Sequence, residues 1–193
     1  KLAAHYFELS ANSEDQNGCF YYAQMLMNNS NVKNRDINKA SEYMKKAADL
    51  GNVMAMIGYS QMITNGLAKV PEGLSEAVNY LQKAIDQGST AAMVFLAQMA
   101  EKGDGFSAKR PDLAKKYYKK AADVEKNAET YRLYAKFARE NNDYSEMDKY
   151  MKLAAETGDA AALYDYGSLL YLSGEKIESI KYLKESAEKD HLD

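Results

Sequence analysis

Apolar residues along the chain recur at intervals of three and four, which places them on one stripe of a helix. One block reads small-x-x-x-apolar-small-x-x-apolar: Gly18/Tyr22-Ala23/Leu26, Ala55/Tyr59-Ser60/Ile63, Ala92/Leu96-Ala97/Ala100, Thr130/Tyr134-Ala135/Ala138 and Ala162/Tyr166-Gly167/Leu170. A second block pairs tyrosine with a large apolar residue: Tyr6-Phe7, Tyr43-Met44, Tyr80-Leu81, Tyr117-Tyr118, Tyr150-Met151 and Tyr182-Leu183. A small residue follows each of these tyrosines four positions later, as in Ala47, Ala84, Ala121 and Ala154. The tyrosines stand 37, 37, 37, 33 and 32 residues apart, so the chain is an internal repeat whose unit holds a first and a second helix.

The residue types follow from packing. Antiparallel helices approach closely only where small side chains face a neighbour, and tyrosine and methionine fill the remaining gaps. Gly51, Gly88 and Gly158 follow second helices, where a turn into the next helix calls for positive φ. The spacing from first small residue to second helix is longer in three units than in the last two, so three units carry a long inner loop and two a compact one. The expected array is 1–14 (a second helix lacking its first), 15–51, 52–88, 89–126, and the compact units 127–158 and 159–193. With a half unit at the start and no polar cap after the last helix, a fragment of a longer array is expected.

Composition supports an all-α chain: two prolines, no tryptophan, sixteen tyrosines and ten methionines leave little strand-like sequence. A net charge of -3 gives no basic surplus for a phosphate backbone, so no nucleic-acid partner is expected. No stretch reaches the roughly 18 apolar residues that span a bilayer, so no membrane insertion is expected of this segment. Cys19 is the only cysteine, which excludes an intrachain disulfide and suits a reducing, cytoplasmic setting. The triplet Asn28-Asn29-Ser30 fits a glycosylation sequon and keeps the ER lumen or secretory pathway as the alternative.

Chemistry-bearing residues do not converge. His5 and His191 lie at opposite ends, so an imidazole metal pair is not expected, and His5 with Cys19 lacks the orienting third group of a nucleophilic dyad. Glu72, Glu76, Asp112 and Glu178 are expected on exposed faces, without the fixed separation that paired acids need for glycoside chemistry. Gly103 and Gly105 leave a helix instead of following a strand, which makes them turn residues and not a phosphate cradle. The run Lys109, Arg110, Lys115, Lys116, Lys119, Lys120 suits an acidic peptide or phosphate, but positions 115, 116, 119 and 120 lie opposite Ala114, Tyr117, Tyr118 and Ala121, and the run is read as an ordinary solvated face. The chain is therefore read as non-catalytic, with no cofactor.

These motifs resemble the Sel-1-like repeat family, a relative of the tetratricopeptide repeat. Ala92-Leu96-Ala97 with Gly103-x-Gly105-Phe106 is similar to the family's first-helix motif. Asp36-Ile37-Asn38-Lys39-Ala40 and Tyr43-Met44-Lys45-Lys46-Ala47-Ala48-Asp49-Leu50-Gly51 are similar to its second-helix motifs, and Val70-Pro71 through Ala77 follows its loop. The compact units, turning at Asn141-Asn142-Asp143 and Ser173-Gly174-Glu175, look more like plain tetratricopeptide repeats. The resemblance implies an all-α, α/α right-handed superhelical solenoid of tandem helix-turn-helix repeats that serves as a scaffold or adaptor, as in signalling or protein quality control.

In tetratricopeptide-type solenoids the first helices line the concave face, so the resemblance also implies where a partner protein or peptide would lie. Positions six after the leading small residue are then Gln24, Gln61, Gln98, Lys136 and Ser168, a polar ladder suited to gripping an extended backbone. Positions two after it are Phe20, Ile57, Val94, Arg132 and Tyr164, and positions nine after it Met27, Thr64, Glu101, Arg139 and Tyr171. The other readings of the ladder are a merely wetted polar surface, or apolar members packed into the core. The alternatives to an adaptor are a structural subunit or linker in a large stable assembly, an accessory region of a multidomain protein, and an RNA-binding pentatricopeptide-like array, against which the acidic charge argues.

Overall fold

The computed structural model describes residues 9–11, 15–28 and 36–190. His5, His191 and the Asn29-Ser30 part of the sequon lie outside them. Residues 9–11 are helical, and among the described residues ten helices follow in order: α1 Gln16–Asn28, α2 Ile37–Asp49, α3 Val53–Thr64, α4 Leu74–Asp86, α5 Thr90–Lys102, α6 Pro111–Glu125, α7 Ala128–Glu140, α8 Tyr144–Glu156, α9 Ala160–Ser173 and α10 Lys176–Asp190. No strand occurs among the described residues. Odd-numbered helices are the first helices of the repeats and even-numbered ones the second. The chain divides into two compact units, 1–114 and 115–193, with the boundary inside α6.

One turn joins successive repeats. The N–H of Gly51 donates to the Ala48 carbonyl and that of Asn52 to Ala47, closing α2 with a glycine at φ 100°. Asn52 then caps α3, its side-chain oxygen accepting the Ala55 N–H at 2.8 Å. Gly88-Ser89 and Gly158-Asp159 repeat this device, with Ser89 capping Ala92 and Asp159 capping Ala162. The leading small residue of the first-helix motif is thus the one whose N–H meets the cap. Lys126 holds the corresponding turn position before Asn127 at φ 49°, a left-handed conformation that costs a side chain about 1–2 kcal/mol.

Within unit 1, the first-helix tyrosine meets the second-helix tyrosine edge to face. Tyr22 and Tyr43 lie 4.9 Å apart between ring centres at 90°, and Tyr59 and Tyr80 lie 5.2 Å apart at 89°. Unit 2 repeats the arrangement with Tyr134–Tyr150 at 4.5 Å and 90°, and Tyr166–Tyr182 at 5.0 Å and 80°. Such pairs add roughly 0.5–1.5 kcal/mol beyond area burial. Tyr80, Tyr117, Tyr150 and Tyr182 are buried and Tyr43 half-buried. In the last hairpin, Gly167 lets the helices close: a Cβ there would sit 2.9 Å from the Leu183 Cγ and 3.2 Å from the Leu183 backbone nitrogen.

Long and short loops solve the same contact differently. In unit 1 the loop after α5 lies on α4, where a Cβ at Gly105 would come within 2.8 Å of Val78 Cγ2 and 2.9 Å of the Leu74 carbonyl oxygen. In unit 2 the compact turn after α7 puts Asp143 against Lys115 at 2.7 Å, and Lys115 stands two residues before its tyrosine as Val78 does.

Substituting Lys126→Gly removes the strained left-handed lysine at some added cost in chain entropy. We expect the variant to gain about 0.5–1 kcal/mol in urea unfolding at unchanged m-value. A loss of stability would show that Lys126 contributes contacts outweighing its strain.

Candidate functional site

Unit 2 contains a groove of about 570 Å³ between first helices α7 and α9. Its walls are stripes of regular helical spacing: Glu129, Arg132, Lys136 and Arg139 on α7, and Asp165, Ser168, Leu169 and Leu172 on α9. The opposite face of α7, with Thr130, Tyr134 and Ala138, is buried. That burial turns the charged stripe outward. Leu133 joins Met147 and Met151, one turn apart on α8, and with Leu169 and Leu172 they make the lining partly apolar. Midway along, the Arg132 Nη2 donates to Asp165 Oδ2 at 2.6 Å and ties the two walls together.

The start of α8, and Met147 with it, is held by a polar cluster. Asp143 caps the helix by accepting the Glu146 N–H at 3.3 Å. The Lys115 ammonium beside Asp143 and that backbone N–H hold its carboxyl below the usual carboxylate range. Glu146 accepts from the Tyr134 hydroxyl at 2.8 Å and from Lys119 at 3.3 Å. These donors, the tyrosine first, lower its pKa against the opposing effect of burial. Unit 1 has the same three-helix cluster in Tyr59, Glu76 and Lys45, with Lys45 2.9 Å from Glu76. Farther along α8, the Tyr150 hydroxyl donates to Asp123 at 3.2 Å, and burial pushes that phenol up to about 12.

The expectations for the acids and for the basic run are corrected first. Glu76 is buried, not exposed, because Tyr59 from its own repeat and Lys45 from the preceding one supply its hydrogen bonds. Lys115 and Lys119 are not simply part of a solvated face, since each pairs with an acid of the following repeat. Cys19 is buried and its thiol donates to the Ala11 carbonyl at 3.4 Å. No group of three or more metal-ligating side chains occurs among the described residues.

The structure brings Lys136 and Ser168 of the expected ladder together in the groove with Arg132 and Arg139 of the flanking positions. Tyr164 is exposed on α9 outside the groove lining. Gln24, Gln61 and Gln98 are exposed on α1, α3 and α5 of unit 1. Phe20 and Ile57, expected to face a partner, are core residues at 9% and 8% exposure, because their side of each first helix packs inward. Sequence reasoning missed Leu133, Leu169, Leu172, Met147 and Met151. The available signal was Leu172, which stands with Ser168 and Asp165 on one helical stripe.

The fold and this groove define a helical-hairpin repeat protein. The Sel1 repeat family matches residues 16–52, 53–89, 90–124 and 160–191, and the chain belongs to that family. The span 125–159, which folds as the hairpin α7–α8, lies between matched repeats. The chain is similar to c5321, a protective antigen of uropathogenic Escherichia coli with an SLR fold, at 22% identity and TM-score 0.73, over 96% of this chain and 40% of that one. It is similar to a Sel1 repeat protein from Oxalobacter formigenes at 20% identity and TM-score 0.69, over 96% and 55%. It is also similar to YrrB, a TPR protein with an unusual peptide-binding site, at 18% identity and TM-score 0.57, over 96% and 92%. The chain thus spans about half or less of the first two of these proteins. A search of curated proteins finds no match.

These likenesses show the fold class, a tandem helical-repeat solenoid. Repeat proteins of the Sel1 and tetratricopeptide kind generally mediate protein–protein interaction and are typically non-enzymatic scaffolds. No helix among the described residues is long and apolar enough to cross a membrane.

The Glu146 cluster makes a pH-dependent prediction. Because the folded pKa of Glu146 lies below its ordinary 4.5, its contribution is present above that value and is lost as pH falls through the lowered one. Tyr134→Phe should cost about 1 kcal/mol at neutral pH and move the Glu146 carboxyl resonance midpoint upward in an NMR titration. An unmoved midpoint would show that the neighbouring lysines, and not the Tyr134 hydroxyl, set it.

Proposed function

We propose that the chain is a non-catalytic protein-interaction module that docks a segment of a partner protein in the α7–α9 groove of unit 2. The observation that carries this reading is the groove itself. It sets apolar side chains beside the charged stripe of α7 and leaves Leu172 83% exposed at one edge. Exposed apolar surface rimmed by polar groups marks interaction sites. A structural neighbour described as having a peptide-binding site supports a peptide-like occupant. The exposed Gln24, Gln61 and Gln98 add hydrogen-bonding surface in unit 1, where they would meet an extended backbone.

A structural role in a larger assembly is the second reading, and one observation favours it: Ile177 and Ile180 on α10 are 91% and 65% exposed. The equivalent residues of the α8 hairpin are the polar Ser145 and Asp148.

A photo-crosslinking residue placed separately at Ser168, Ile177 and Lys120 in the full chain separates these readings in cells. Partner adducts concentrated at Ser168 are expected. Adducts from Ile177 alone would favour the assembly role, and equal yields from Lys120 would contradict a specific groove.

A further inference from the structure

The groove's charges are sorted along its length. α7 and α9 run in the same direction, because each is joined to the antiparallel α8 by a short turn, and Arg132 meets Asp165 at matching heights. At the N-terminal ends of both helices stand Glu129 and Asp159. At the C-terminal ends stand the exposed Lys136 and Arg139, with Leu169 and Leu172 facing them across the opening. The middle is electrically closed, since Arg132 and Asp165 neutralise one another. Along the floor run Met147 and Met151, whose unbranched side chains adapt to more than one apolar shape.

This arrangement selects an occupant by charge order. We propose that the groove binds a short extended peptide segment that is itself bipolar: a basic residue at the Glu129–Asp159 end, an acidic residue at the Lys136–Arg139 end, and unbranched or leucine-like apolar side chains between. The length follows from the helix. Glu129 and Arg139 are ten residues apart, roughly 15 Å along α7, which an extended chain covers in about five residues. The volume of about 570 Å³ falls within the range of sites that enclose a small ligand. A segment with acids at both ends would bring one of them against Glu129 and Asp159, and a segment with two basic ends would meet Lys136 and Arg139, so each loses one attraction and gains one repulsion. The inference rests on the groove being a docking site for a partner segment.

The test uses the full chain with labelled methionine methyl groups, titrated by NMR at low salt with end-blocked five-residue peptides. The bipolar probe is lysine-leucine-methionine-leucine-glutamate; its relatives carry two lysines, two glutamates, or serines in place of the apolar residues. The bipolar peptide is expected to shift the Met147 and Met151 methyls and to bind about fivefold or more tightly than either single-sign peptide. The serine peptide is expected to leave those methyls unshifted. K136E combined with R139E should weaken the bipolar peptide and strengthen the two-lysine one. Both positions are exposed, so circular dichroism of the double variant should match the parent. Equal affinity for single-sign and bipolar peptides, or affinities indifferent to the double reversal, would overturn the bipolar class while leaving the groove as a docking site. If no peptide shifts Met147 or Met151 at millimolar concentration, the bipolar class falls. Ser168 crosslinking then reports separately on docking.

Discussion

A helix hairpin of this sequence cannot cover its own apolar surface. The first helix α3 buries Ala55, Met56, Ile57, Tyr59, Ser60, Met62 and Ile63, which occupy more of its circumference than a single antiparallel partner reaches. It packs on α2 of the preceding repeat as well as on α4 of its own. In unit 2, α9 lies against both α8 and α10, and a cluster of Ala155, Leu163, Tyr166, Leu170 and Tyr182 spans the three helices. Burial between neighbours, not within hairpins, is the constraint from which the turns, the small residues and the groove follow. Small residues such as Gly167 set the closest approach, and the edge-to-face tyrosines fill the space that this approach leaves.

Polar groups fix the register that apolar packing leaves free. The Tyr-Glu-Lys clusters join a first helix, its second helix and the preceding second helix, once in each unit, at equivalent positions. Hydrophobic burial is non-directional, so sliding one helix along another costs little until hydrogen bonds are lost. Each cluster makes that slide expensive by leaving a carboxylate without its donors. In unit 2 the cluster also presents Met147 to the groove, since Glu146 and Met147 are consecutive in the first turn of α8. The scaffold's polar bonding and the site's apolar lining are therefore set by the same few residues.

Much of the fold was legible because packing between repeats writes itself at a fixed period. The spacing of Tyr43, Tyr80, Tyr117, Tyr150 and Tyr182 identified the second helices, and positive-φ glycines marked the turns. The site was legible in part. Arg132, Lys136, Ser168 and Arg139, named by extending one helical stripe, line the groove, but the same stripe in unit 1 included Phe20 and Ile57, which the core takes. Met151 was hidden for the opposite reason. Its counterparts Met44 and Leu81 are fully interior, and only the structure shows that Met151 is half-buried and reaches the groove lining. Glu76 misled because a buried acid reads as a surface one until its partners, Tyr59 in the same repeat and Lys45 in the preceding one, are brought together by folding.

Native-state hydrogen exchange on the full chain carrying Leu163→Ala tests the dependence of each hairpin on its neighbour most directly. Leu163 is 1% exposed on α9, within the cluster that reaches Ala155 on α8. Truncating it should remove about 2–5 kcal/mol of protection from α8 and α9 together. Loss confined to α9 and α10, with α8 protected as before, would mean that the hairpins stand on their own and would contradict the account.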